Sequence, residues 1–85
     1  MAIRQGFPHP DPDLVSALQA WRAEVARAAG IPAYVVLHDA TVAALASLRP
    51  RTTDELLRVP GLGPVKASRY GPTLLSLLCD RAAAG

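Results

Sequence analysis

VPGLGPVKASRYG, residues 59–71, decides how this chain is read. Gly61 and Gly63 flank Leu62, and Pro64, Val65 and Lys66 follow. Two readings compete. In one, small residues let backbone amides around Gly61, Gly63 and Lys66 approach a phosphate at a helix N-terminus, with Lys66 adding a point charge. In the other, both glycines serve a sharp reversal between two packed helices and Leu62 plugs the core. Pro64 takes one donor away from the first reading. On either reading Gly63 is the entry residue and Pro64 the first residue of a helix. That helix is expected to end near Tyr70, with Gly71 breaking it and Pro72 starting the next.

Working outward, the last helix carries Leu74, Leu75, Leu77 and Leu78 and fades into Ala-Ala-Ala-Gly. Upstream, Thr52 and Glu55 have capping-box spacing and start a short helix with Leu56 and Leu57 inward. Asp39 is expected to cap a helix carrying Val42, Leu45 and Leu48, with Pro50 past its end. IPAYVVLHD, residues 31–39, has strand-like content but no partner strand to satisfy its backbone. It is therefore expected to be a buried irregular or single-turn connector. Before it, Asp11, Pro12 and Asp13 are start signals, and Gly30 is a stop. Between them Leu14, Leu18, Trp21, Val25 and Ala28 make one apolar stripe, with Arg22 and Arg27 off it and facing water. The expectation is an all-α, compact orthogonal bundle of five short helices with a helix-hairpin-helix-like turn. Residues 1–10, with alternating prolines, read as a flexible N-terminal arm, and residues 11–83 as a single helical domain cut from a longer protein.

With 85 residues there is room for one small domain. A hydrophobic fraction of 51% argues against disorder of the whole chain. One cysteine, Cys79, allows no internal disulfide, which fits a reducing, cytoplasmic setting. No signal-peptide core and no membrane-length apolar run is present, so a soluble, monomeric protein is expected. The net charge is +2, unevenly spread: residues 1–48 carry −1 and residues 49–69 carry +3. The positive charge thus gathers around the opening motif, the footprint of a phosphate-bearing partner or simply a solvated helical surface.

The features fall in a specific order: an apolar stripe with Trp21-Arg22, then IPAYVVLHDAT, PRTTDEL, VPGLGPVK, Arg69-Tyr70-Gly71 and a leucine-rich end. This order resembles the HRDC domain, the helicase-and-RNase-D C-terminal module, over residues 13–79, and most resembles those of RecQ-type DNA helicases. The resemblance implies a non-catalytic accessory domain. It would bind single-stranded or branched DNA weakly through phosphate contacts and help set the DNA-structure specificity of a helicase acting in DNA repair and recombination. It also implies an alternative, a docking module for the rest of its own chain or for another protein, with an RNase D-like nuclease as a further possible parent. In a bacterium the setting would be the cytoplasm and its nucleoid.

Candidate DNA contacts are Tyr34, Lys66, Arg22, Arg27, Arg51, Arg58 and Arg69, with Gly61 and Gly63 as hairpin backbone. Tyr34, in the connector beside Pro32, is either an exposed aromatic that stacks a base or a half-buried ring with a wet hydroxyl. The HRDC resemblance favours the first. The arginines, Arg49 among them, are individually solvated charges that together would give weak, salt-sensitive binding. Trp21 is read as core, Tyr70 as packing with Gly71, and Cys79 as a small core or near-surface hydrophobe. His38 and Asp39 are adjacent but lack a third catalytic partner, and His9 lies in the arm. No metal set, nucleophile–base pair or phosphate-cradling Lys-Ser/Thr loop is present, so no enzyme and no cofactor is expected.

Overall fold

The first helix ends in hydrogen bonds that a glycine makes possible. Gly30 adopts φ 69°, and the Gly30 and Ile31 amides donate to the Arg27 and Ala26 carbonyls. This is a Schellman closure, and it turns the chain sharply toward Pro32. In a computed structural model, which describes residues 10–84, the element order is α1 (Pro12–Ala29), α2 (Ala33–Val36), α3 (Asp39–Leu48), α4 (Thr53–Leu56) and α5 (Pro64–Ala84). All five elements are helices, as the sequence led us to expect. The arm expected over residues 1–10, His9 included, lies almost wholly outside the described residues. No described helix is long and apolar enough to cross a membrane.

The start of α1 follows its signals: Asp11 Oδ1 accepts from the Asp13 amide at 2.9 Å. Its buried face is Leu14, Leu18 and Ala26, with Trp21 and Val25 partly covered. Ala28 is exposed, because the chain turns away at Gly30 before the stripe completes another turn. The central element is α3, where Thr41, Val42, Ala44, Leu45 and Ala46 are all buried. Leu48 is exposed at the helix end. Asp39 does not cap α3. The cap position belongs to His38, without a side-chain bond, and Asp39 is the first helical residue. At the other end Arg49 takes a left-handed φ of 48° and donates from Nη2 to Asp11 Oδ2 at 3.2 Å, tying the end of α3 to the start of α1.

Thr52 caps α4 as its spacing predicts, accepting from the Glu55 amide at 3.1 Å. Glu55 Oε1 reaches one residue further back than in the standard box, to the Arg51 amide at 2.7 Å. A four-residue helix has room for one inward leucine. That is Leu56; Leu57 is exposed.

The hairpin between α4 and α5 is docked by a buried hydroxyl. Thr41 Oγ1 donates to the Pro60 carbonyl at 3.1 Å, and Val59 and Leu62 fill the core on either side. Gly61 has φ 85°, and a Cβ there would stand 2.2 Å from Thr41 Oγ1. Gly61 is thus required twice over, by conformation and by space. Gly63 is not: no atom lies within 4 Å of a Cβ built on it, and its φ is not positive.

The expected break at Gly71-Pro72 does not occur, and α5 runs unbroken through both. Gly71 is buried and a Cβ on it would touch Leu56 Cδ1 at 3.4 Å, so this glycine serves close packing against α4. It also has no Cβ to collide with the following proline ring, which is what usually ends a helix before proline. Ala67, Gly71, Leu74 and Leu78 form one buried stripe through the proline, and burying that stripe outweighs the hydrogen bond Pro72 cannot make.

These contacts predict that Gly61→Ala destabilises the domain by about 2–4 kcal/mol in urea or thermal unfolding, through left-handed strain plus overpacking on Thr41. Gly63→Ser should lie within about 0.5 kcal/mol of the parent or above it, since serine is a good cap at the open start of α5. Equal losses from the two substitutions would refute this division of roles.

Candidate nucleic-acid interface

The connector from Ile31 to His38 alternates between core and surface. Val36 and Leu37 are fully buried, while Tyr34 is 59% exposed and Val35 and His38 are also exposed. Tyr34, in the single turn, and His38, in the extended segment after it, come together on one outer face. Their ring centroids are 6.1 Å apart with planes 27° from parallel. The pair is a small aromatic platform in water, and its outer ring face is open to a flat, unsaturated ligand such as a nucleobase. Tyr34 is thus exposed rather than half-buried. His38 as its partner is not among the sequence candidates. No spacing rule points to it, because the chain leaves helical geometry at Leu37 and His38 is extended.

Arg22 sits elsewhere than expected. It neither lies off the packed face nor reaches water freely: its side chain is 12% exposed. Nη1 donates to the Leu37 carbonyl at 2.8 Å and to Asp39 Oδ1 at 2.9 Å. Nε is buried without a hydrogen-bond partner among the described residues. A connector that leaves helical geometry at Leu37 strands a carbonyl near the core, and a long donor from α1 is what satisfies it.

The remaining basic candidates divide by position. Arg27, Arg51, Arg58 and Arg69 are exposed, and Lys66 is half-buried on the first turn of α5. Arg69 joins Pro64, Val65 and Ser68 in lining an open depression on α5. At the hairpin, the amides of Val65 and Lys66 carry no backbone partner among the described residues, as the first turn of any helix requires. Gly61 faces Thr41, which makes its role structural. Trp21 and Tyr70, both partly buried against the core, pack edge-on with ring centroids 5.3 Å apart and an interplanar angle of 82°. Cys79 is exposed. Among the described residues no three His, Cys, Asp or Glu side chains come together as a metal set would.

Comparison with known proteins follows the same lines. The HRDC domain family matches residues 11–78. The ATP-dependent DNA helicase RecQ of Haemophilus influenzae is 34% identical over 80 residues, covering 94% of this chain and 13% of that protein. The ATP-dependent DNA helicase UvrD2 of Mycobacterium tuberculosis is 38% identical over 71 residues, covering 84% of this chain and 10% of that protein. Among solved structures, D. radiodurans RecQ HRDC domain 3 superposes with a TM-score of 0.78 at 40% identity, covering 86% of this chain and 95% of that one. The chain thus spans about a tenth of the length of these helicases but nearly all of the solved domain.

The two tyrosines should respond oppositely to truncation. Tyr34→Ala is expected to cost less than about 1 kcal/mol in urea unfolding, since it removes an exposed ring. Tyr70→Ala removes half of a packed aromatic pair and should cost about 3 kcal/mol. A Tyr34 loss as large as that of Tyr70 would show the platform to be part of the core.

Proposed function

The chain belongs to the HRDC domain family, and from that membership we propose that it is the non-catalytic, nucleic-acid-binding accessory domain of an ATP-dependent DNA helicase of RecQ type. In this reading it holds single-stranded or branched DNA weakly and helps the motor choose among DNA structures in repair and recombination. In a bacterium it works in the cytoplasm, at the nucleoid. The observation that carries the reading is the Tyr34–His38 pair, an aromatic platform kept in water on a connector anchored in the core by Val36 and Leu37. An exposed tyrosine has little stability to offer, whereas stacking one base on an aromatic ring contributes about 1–3 kcal/mol to binding.

Phosphate contacts supply the rest. Arg27, Arg51, Arg58, Arg69 and Lys66 are the cations this reading assigns to the backbone, with the free amides at the start of α5 as a secondary anchor. Arg22 drops out of that set because its guanidinium is committed within the fold. With few cations and a near-neutral N-terminal half, dissociation constants are expected on the order of 10⁻⁴ to 10⁻⁶ M at physiological salt.

A second reading is favoured by Val65, 75% exposed, and by the exposed Leu57. Apolar side chains in water beside basic ones also suit docking on another part of the parent chain or on a partner protein. UvrD2, as well as RecQ, is a helicase to which this chain is similar.

Fluorescence anisotropy separates the two readings. Single-stranded and forked oligonucleotides should bind, and more weakly as salt rises. Tyr34→Ala should weaken single-strand binding about 5- to 150-fold while leaving duplex binding nearly unchanged. Lys66→Ala should weaken all DNAs alike and reduce the salt slope. No binding at low salt and high protein concentration would leave docking as the surviving function.

A further inference from the structure

Tyr34 and His38 can form a platform only if the backbone between them is fixed. That backbone has little means of fixing itself. α2 is four residues long, far below the length at which a helix holds alone. Leu37 at its end is extended, at φ −151° and ψ 138°, and His38 is extended too, at φ −72° and ψ 157°. His38 makes no side-chain capping bond to α3. Val36 and Leu37 anchor the segment in the core but leave the Leu37 carbonyl to be paired.

Arg22 pairs it. From the middle of α1, Nη1 bridges the Leu37 carbonyl and the Asp39 carboxylate, the residues immediately before and after His38. We infer that Arg22 is a positioning residue for nucleobase binding: its guanidinium clamps the connector on both sides of His38 and so sets the Tyr34 ring against the His38 ring. The inference rests on the nucleic-acid reading above and adds to it the residue that pre-orders the stacking surface.

Three observations separate this role from a phosphate contact. The side chain is mostly buried. Its Nε is buried unpaired, a cost the fold accepts to carry the guanidinium to this place. Asp39, by contrast, has a side chain 88% exposed, so the clamp reaches from inside the domain to its surface. Pre-ordering matters energetically because a connector that must order on binding loses part of its stacking free energy to lost conformational freedom.

Lysine cannot replace arginine here. Its ammonium nitrogen falls where Cζ stands, one bond short of Nη1, and is drawn back from both the Leu37 carbonyl and the Asp39 carboxylate. Arg22→Lys therefore keeps the charge and removes the clamp. Arg22→Met keeps the apolar stem and removes both. The 85-residue chain carrying each substitution is checked for folding by circular dichroism, then read two ways. Without DNA, the nuclear Overhauser contacts between the Tyr34 and His38 rings should be lost in both variants. With a fluorescein-labelled oligo-dT strand, affinity should fall about 5- to 150-fold, toward the level of Tyr34→Ala. Arg22→Lys combined with Tyr34→Ala should be no weaker than Tyr34→Ala alone. The slope of log affinity against log salt should be unchanged in both single variants.

Ring contacts and affinity preserved in both variants would overturn the inference. So would a salt slope reduced by roughly 0.7 in Arg22→Met, the mark of a lost phosphate contact to a single strand. If Arg22→Met fails to fold, Arg22→Lys and Asp39→Ala decide the matter by the same readouts. Failure of the nucleic-acid reading shows itself separately, as an unchanged affinity in Tyr34→Ala, while the ring contacts still report whether Arg22 sets the pair.

Discussion

One hydroxyl inside the core, that of Thr41, registers the second half of the chain on the first. It belongs to α3, the most buried helix, and donates to the Pro60 carbonyl in the turn that leads to α5. A hydrogen bond of this kind contributes only about 1 kcal/mol net, but an unpaired carbonyl in its place would cost about 1–3 kcal/mol. The bond also fixes where the hairpin lies, and with it the insertion of Val59 and Leu62 beside α3. Gly61 follows as a necessity, because Thr41 occupies the space that any side chain at residue 61 would need. The packing of Leu56 on Gly71 then continues the same register into α5.

Two arginine ties, one at the surface and one mostly buried, hold further joints of the chain. Arg49, at a left-handed φ, joins the end of α3 to Asp11 at the start of α1. Arg22 joins the middle of α1 to the connector. Both arginines stand among charges that look, in one dimension, like a solvated surface. In three dimensions each closes an irregular joint that helical hydrogen bonding cannot close. The basic residues left for a polyanion are therefore fewer than the composition suggests, and they are concentrated after residue 50. An interface of that size suits weak binding in which the stacking of one base is a substantial share of the whole.

Much of this is legible in residue order. Asp11, Gly30 and Thr52 act as the caps their types and spacings predict, and Leu62 fills the core as the turn requires. The order of motifs alone points to the family. What is not legible has specific causes. Gly71-Pro72 reads as a break because local rules count the missing donor and the missing Cβ; the close approach of Leu56, a contact across the fold, outweighs both. Leu57 and Leu48 look inward by type, but one short helix and one helix end have no second face to bury. Asp39 looks like a cap by type, yet its carboxylate pairs with Arg22, a full helix earlier in the chain, which nothing local could reveal. Tyr34 is readable as a candidate, whereas its pairing with His38 and the clamp behind both need the fold.

The central claim is that the connector face, Tyr34 with His38, receives single-stranded nucleic acid while the glycine hairpin is chiefly a structural joint. A titration of the ¹⁵N-labelled chain with a short single strand, followed by amide chemical shifts, tests this directly. The account predicts that the largest, saturable shifts fall on residues 33–39, with smaller ones beside the exposed arginines and at the start of α5. Shifts confined to residues 59–66 with the connector silent, or no shifts at low salt, would contradict it.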